Sequence, residues 1–423
     1  MAITVGETYL FFRPRQRQAT EEQLVLRLIA YANRASAARD QPGAERFARR
    51  AFDLASGAEH RVKPGIRAAA AIKLAGSLID GSNNADAAKI LEGIGKYASA
   101  SDLTPANRMT MLYYRCCLYF ADHRNADIVR ELEPVVYPAA GRLEGASPLG
   151  TRPESQLESL VVWLLPYLGF AYHALGRYGD AAKTIRRYRA QEGRTTEVWK
   201  EWMVLSLLGK SELMAGNVEA ARAALSELEN LASRQNADLV FTAAAAELAF
   251  KLGEKATGKK WAEMAIAGAR DQAREAPKKV APSVDAVMAP LGHACLSAGE
   301  PALAEAVFRQ ELEVLELPGA DRSISRAYAM NNIAVAQRDQ GHYESALQLL
   351  NEALAVGQAV ANADQGLIAS IYKNIGIAQH KLGNTQAAAE AFSRAVSIAK
   401  TALPEGDVAR QKVLQACREL GYE

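Results

Sequence analysis

Residues 327–354, AYAMNNIAVAQRDQGHYESALQLLNEAL, recur in altered form at 369–396, ASIYKNIGIAQHKLGNTQAAAEAFSRAV. A shift of 42 positions superposes Asn332 on Asn374, Ile333 on Ile375, Ala334 on Gly376, Gln337 on Gln379 and Gly341 on Gly383. It also superposes Ala346 on Ala388, Leu350 on Phe392 and Ala353 on Ala395. A long fixed period constrains the fold strongly. Each copy is one helix–turn–helix unit that cannot bury its apolar face alone, so neighbours must stack. Gly341 and Gly383 fall where a left-handed turn ends the first helix, a conformation that costs glycine nothing. Ala334/Gly376 and Ala346/Ala388 are small where two helix backbones approach. A larger side chain there costs roughly 1–3 kcal/mol in overpacking.

These residues resemble the tetratricopeptide repeat. The family has a large residue early in helix A, a Leu-Gly or Ile-Ala pair, a turn glycine, and then a small residue, a large one and an alanine in helix B. The corresponding positions here are Met330, Ile333, Ala334, Gly341, Tyr343, Ala346, Leu350 and Ala353, then Tyr372, Ile375, Gly376, Gly383, Ala388, Phe392 and Ala395. The family unit is about 34 residues, and the 42-residue form resembles the repeats of kinesin light chains.

Weaker copies precede these two. Residues 165–191 carry Leu168-Gly169, Tyr172, Gly176, Tyr178, Ala181 and Ile185; residues 205–231 carry Leu208-Gly209, Gly216, Ala221 and Leu225. Residues 242–268 put Gly258 where the helix-B alanine belongs, and 288–314 keep Leu291-Gly292, Gly299, Ala304 and Phe308. Near the N-terminus Gly43, Ala48, Phe52 and Ala55 fit, while 72–98 and 112–138 fit loosely. The resemblance implies an all-α, right-handed superhelical solenoid of about nine antiparallel helix pairs with a C-terminal capping helix.

The expected organisation is an N-terminal arm at 1–19, helix pairs at 20–137, a loop at 138–156, an array at 157–400 and the cap at 401–423. The loop expectation rests on Pro138, Gly141, Gly145, Pro148, Gly150 and Pro153. REAPKKVAP at 274–282 reads as a shorter loop or a helix extension. Pro166 and Pro290 fall inside helix-A segments, where each is expected to kink or shorten its helix.

Composition narrows the function. The net charge is +2, with an Arg-rich N-terminal third and a mildly acidic C-terminal one. Few aromatics interleave with those arginines, so a nucleic acid is not an expected partner. Cys116, Cys117, Cys295 and Cys417 show no metal-binding spacing and read as buried thiols of a reducing, cytoplasmic compartment. No apolar run is long enough to span a bilayer, and no signal sequence is evident. Gly209-Lys210-Ser211 ends like a phosphate-binding loop, but position 204 is Val where that motif needs Gly. With no HExxH, GxSxG or GxGxxG, the chain is expected to be non-catalytic and to need no cofactor or metal.

In tetratricopeptide arrays the A helices line a concave groove. Peptide-binding members commonly turn an asparagine into it, whose amide both donates to and accepts from a peptide backbone. The resemblance places Asn332 and Asn374 there. Asn331, Tyr328, Arg338, Lys373, His380 and Lys381 are the other candidate peptide-binding residues, and the cations favour an acidic or C-terminal carboxylate group. The matching upstream positions, Tyr114, Tyr167, Leu207, Ala244 and Pro290, are mostly apolar. The expected function is therefore a protein-interaction module with its groove in the C-terminal repeats. The alternatives are a ligand-sensing regulator that changes superhelix shape and a structural subunit of a larger assembly.

Overall fold

A computed structural model describes residues 14–58, 61–137, 156–191, 201–234, 239–275, 277–316, 323–360 and 364–422. Among them the regular structure is wholly helical. Nine pairs follow one another: α1 (Pro14–Ala37) with α2 (Gln41–Gly57), α3 (Pro64–Asp80) with α4 (Asn84–Gly93), and α5 (Pro105–Ala121) with α6 (Asn125–Val136). Next come α7 (Gln156–Ala174) with α8 (Tyr178–Arg189), α9 (Glu201–Met214) with α10 (Val218–Arg234), and α11 (Leu239–Lys251) with α12 (Lys255–Glu275). The last three are α13 (Pro277–Ser297) with α14 (Pro301–Leu315), α15 (Ser323–Asp339) with α16 (Tyr343–Ala359), and α17 (Gln365–Lys381) with α18 (Thr385–Ala402). A final helix, α19 (Val408–Leu420), packs on α17 and α18 as the expected cap. The fold is an all-α tetratricopeptide-like solenoid.

The chain divides into two compact units, Met1–Trp199 and Lys200–Glu423. In the first, α7 packs on both α5 and α6, so the stack continues past the Pro/Gly-rich segment, which lies outside the described residues except for Gln156. The apolar stretch at 3–12 also lies outside them. Helix α1 starts at Pro14, inside the expected arm.

One turn geometry joins every pair. Gly176, Gly216, Gly253, Gly299, Gly341 and Gly383 sit at φ between +75° and +86°, and in the first three pairs Arg39, Ser82 and His123 take the same left-handed conformation at φ +58°, +63° and +56°. In each turn the next amide donates back to the carbonyl five residues earlier. Examples are Asn83 N to Leu78 O at 2.8 Å, Arg177 N to Tyr172 O at 2.8 Å and Asn384 N to Gln379 O at 2.9 Å. This bond caps carbonyls that a helix end otherwise leaves without partners. It corrects one expectation: Gly43 is not the first turn glycine. Arg39 makes that turn, and Gly43 lies in the first turn of α2, donating its amide to the Asp40 carboxylate at 3.0 Å.

Helix contacts account for the small residues. A Cβ on Gly376 would stand 2.8 Å from the Phe392 ring, so α17 and α18 need glycine there. At Gly258 the intruder would meet Phe250 at 2.7 Å; a large helix-A residue has displaced the usual helix-B alanine. Pro166 and Pro290 do not shorten their helices, since α7 and α13 run through them for 19 and 21 residues. The 274–282 segment is mainly helix extension, with α12 ending at Glu275 and α13 starting at Pro277. Residues Gly209 to Ser211 lie mid-helix: Gly209 faces Leu248, and Lys210 pairs with Glu247 at 3.1 Å, which removes the phosphate-loop reading.

Candidate functional site

The second unit contains the helices α13, α15, α17 and α19. The 42-residue register aligns α15 with α17 and, carried one step further, with α19. Position 328 maps to 370 and then to Lys412, and Ile333 maps to Ile375 and then to Cys417. Ile333, Ile375 and Cys417 are all buried, so the step holds through the cap. Residues one position either side of this buried row are placed at the edge of the helix-A face.

Three asparagines form a hydrogen-bonded chain there. Asn374 Nδ2 on α17 donates to Asn331 Oδ1 on α15 at 2.8 Å, and Arg338 Nη1 donates to Asn374 Oδ1 at 3.4 Å. Asn331 Nδ2 approaches Asn332 Oδ1 at 3.5 Å, the outer limit for such a bond. Asn331, Asn332 and Asn374 keep 7, 9 and 3% of their surface. They are therefore more enclosed than open-groove residues, and the cross-helix bond runs through Asn331, the neighbour of the expected rung. Capacity remains: Asn332 Nδ2 has no partner among the described residues, and Asn374 Nδ2 has used one of its two hydrogens.

Lys373 stands beside this chain with no hydrogen bond or ion pair to a described residue. Burial first, and then the charges of Arg338 and Lys412, bring its pKa down to about 8 from 10.5. Arg338 is itself tied to Asp339 Oδ1 at 2.7 Å. His293 on α13 is exposed to solvent, yet burial and the nearby Lys412 charge lower its pKa. Lys412 thus comes near both His293 and Lys373, and side chains from α13, α15, α17 and α19 converge. Carrying the repeat step into α19 would have found Lys412 from sequence. His293 has no such signal, because its register mates are Val335 and Ile377.

The other expected residues are placed differently. Tyr328 is 41% exposed and its hydroxyl donates to Asp364 Oδ2 at 2.5 Å, tying α15 to the residue that caps α17. Burial and this bond push the Tyr328 phenol pKa well up. His380 turns toward the C-terminus, its Nδ1 3.0 Å from the Tyr422 hydroxyl. Lys381 is exposed in the last turn of α17. The structure thus brings together Asn331, Asn332, Asn374, Arg338 and Lys373, and leaves Tyr328, His380 and Lys381 at the margins.

Among the described residues no group of three or more His, Cys, Asp or Glu is placed to hold a metal ion. No described helix is long and apolar enough to cross a membrane.

Comparison with known proteins identifies the repeats. The family model described as "Tetratricopeptide repeat" matches residues 285–359 and 325–401, which include most of α13 and all of α14 to α17. "Heat shock protein STI1" of Saccharomyces cerevisiae is 34% identical over 73 residues, 17% of this chain; the match spans 12% of that protein's length. Among solved structures, the apo form of the quorum sensor NprR from B. thuringiensis is similar at 11% identity and a TM-score of 0.42, covering 83% of this chain and 93% of that one. A thermophilic TPR protein of Thermus thermophilus is similar at 22% identity and a TM-score of 0.32, covering 51% and 98%. Residues 285–401 are tetratricopeptide repeats.

Proposed function

We propose that the helix-A face of the second unit binds an extended peptide or protein segment, with the asparagine chain as its polar floor and the neighbouring cations receiving an acidic group. The observation that carries this reading is the Asn331–Asn374–Arg338 hydrogen-bond chain across two successive A helices, beside a lysine with no counter-charge. A backbone segment laid along the face would take up the free Asn332 and Asn374 amide hydrogens. A carboxylate would offset the burial and the like charges that lower the Lys373 pKa. The four cysteines are all free thiols, which suits a reducing, cytoplasmic site of action.

The test is selection of peptides on the full chain, followed by fluorescence polarisation with the best binder. The Asn332→Ala/Asn374→Ala double variant is expected to weaken binding by about 1–2 kcal/mol or more, with the helical circular-dichroism signal unchanged. Equal affinity for the double variant and the parent would refute the reading.

A further inference from the structure

The first unit holds a cavity at the joint between its second and third helix pairs. Helix α4 ends at Gly93 after 10 residues, the shortest α-helix among the described residues. A single 3-10 turn, Ile94–Lys96, follows, and the chain reaches α5 only at Pro105. Helices α5 and α6 are the most loosely packed of the nine pairs, with α6 lying more closely on α7. These two departures leave a cavity of about 460 Å³ between α4, α5 and α6. Leu91, Ile94, Leu103, Met111 and Leu112 supply its apolar walls, and Val135 stands 38% exposed at its side. The volume lies toward the small end of the ~300–1,000 Å³ of small-molecule sites, which likewise combine apolar walls with a few polar groups.

Four charged side chains line the cavity: Glu92, Arg108, Arg115 and Glu131. Two of them are committed. Arg115 Nη1 donates to Glu131 Oε2 at 3.2 Å, and Glu131 Oε1 accepts from the Tyr119 hydroxyl at 2.9 Å. Glu92 and Arg108 are exposed, and neither side chain has a hydrogen bond or ion pair to a described residue, each other included. They also share one end of the cavity. Glu92 is the last residue but one of α4, Arg108 is in the first turn of α5, and the 94–104 connection joins those two helix ends. Arg115 lies two turns, about 10 Å, further along α5. One free carboxylate and one free guanidinium thus border an apolar interior that a satisfied ion pair closes at the other end. We propose that this cavity binds a small zwitterion with an apolar side chain, of the class of the apolar α-amino acids. Its carboxylate takes a forked pair of hydrogen bonds from Arg108, and its ammonium donates to Glu92. Its side chain lies among Leu91, Ile94, Leu103 and Met111. A plain carboxylate would match Arg108 and leave Glu92 facing a like charge, and a plain amine would do the reverse. A ligand that carries both charges satisfies both residues.

The experiment is calorimetric titration of the full chain at pH 7 with L-leucine, N-acetyl-L-leucine, L-leucinamide and glycine. L-Leucine is expected to bind roughly tenfold tighter than either blocked analogue, each of which lacks one charge. Glycine, which lacks the side chain, is expected to bind at least about tenfold more weakly than L-leucine. Arg108 and Glu92 are exposed, so Arg108→Ala and Glu92→Ala both fold, and each should lose roughly tenfold for L-leucine. Arg108→Ala should also cease to distinguish L-leucine from L-leucinamide, and Glu92→Ala should cease to distinguish it from N-acetyl-L-leucine. A merely structural effect of either substitution would not erase one preference and keep the other. Lys400→Ala, on α18 of the second unit, is the control and changes nothing. Equal affinity of the parent chain for L-leucine and either blocked analogue overturns the proposal, and so does glycine binding as tightly as L-leucine. Unchanged L-leucine affinity in both variants overturns it, as does failure of L-leucine to bind by about 10 mM. The groove reading concerns the second unit and is judged separately, by the asparagine double variant on a selected peptide.

Discussion

Ser82→Gly should stabilise the first unit. Ser82 ends α3 at φ +63° and is exposed, so its side chain has little packing to lose. A left-handed L-residue costs about 1–2 kcal/mol relative to the right-handed region. Glycine removes that cost and gives back about 0.4–1 kcal/mol through the greater freedom of the unfolded chain. The turn bonds, Ser82 N to Ile79 O at 2.9 Å and Asn83 N to Leu78 O at 2.8 Å, use only backbone atoms and are retained. The net gain is about 0.5–1 kcal/mol. Global melting is a blunt probe, because repeat arrays often unfold in parts. Amide hydrogen exchange in α3 and α4 is the better assay, and a gain of this size slows exchange there by roughly two- to fivefold where opening is local. Arg39→Gly and His123→Gly should act similarly in their own pairs. Gly383→Ala, at φ +79°, is the mirror experiment and should cost about 1 kcal/mol. If Ser82→Gly speeds exchange in α3 and α4, or Gly383→Ala is neutral, the argument that backbone sterics govern these turns is refuted.

Three other outcomes follow from the packing and the electrostatics. Gly376→Ala drives a methyl against the Phe392 ring and should destabilise the second unit by about 1–3 kcal/mol, read as a fall in the denaturant midpoint. Lys373 has a folded pKa of about 8, below its unfolded value of 10.5, so below pH 8 the fold carries a proton it disfavours. Between those values the unfolded chain binds the proton that the folded chain has lost. The Lys373 contribution to stability therefore rises with pH across this window, and it should appear as the difference between the parent and Lys373→Met denaturation curves taken from pH 7 to 10.5. Burial pushes the Cys295 thiol up to about 12 and raises the Cys116 and Cys117 thiols too. Iodoacetamide at pH 8 should leave these three unlabelled in the folded chain while labelling them in urea, as intact-mass measurement would show.

Much of the fold was legible because its requirements are steric. Gly341 and Gly383 marked turns that the backbone needs, and Ala346 and Ala388 marked contacts that a larger side chain would break. The N-terminal pairs were harder to read for the same reason. Arg39, Ser82 and His123 supply the left-handed turn without the residue that normally signals it, and Gly43 stood nearby as a decoy. At Gly258 the size pattern was exchanged between the two helices, with Phe250 taking the space. The site was legible only in part. Asn332 and Asn374 drew notice by recurring, but the bond that crosses between helices uses Asn331, whose register mate is Lys373. Recurrence reports equivalent positions; it does not report which side chain reaches across to the next repeat. Lys412 was missed because the 42-residue step was not carried from the second copy into the capping helix.

The Asn331–Asn374 bond has a consequence for how such a chain can change. Repeat proteins grow and shrink by whole units, and the stack tolerates this because each unit touches only its neighbours. Here the polar chain spans a joint between two units. Inserting a further pair between α16 and α17 would preserve every core contact type while separating Asn374 from Asn331 and Arg338. Deleting α17 and α18 would heal the stack and remove Lys373 with them. A change in the number of units at this joint would therefore break the polar chain, whereas one elsewhere along the chain would leave it intact.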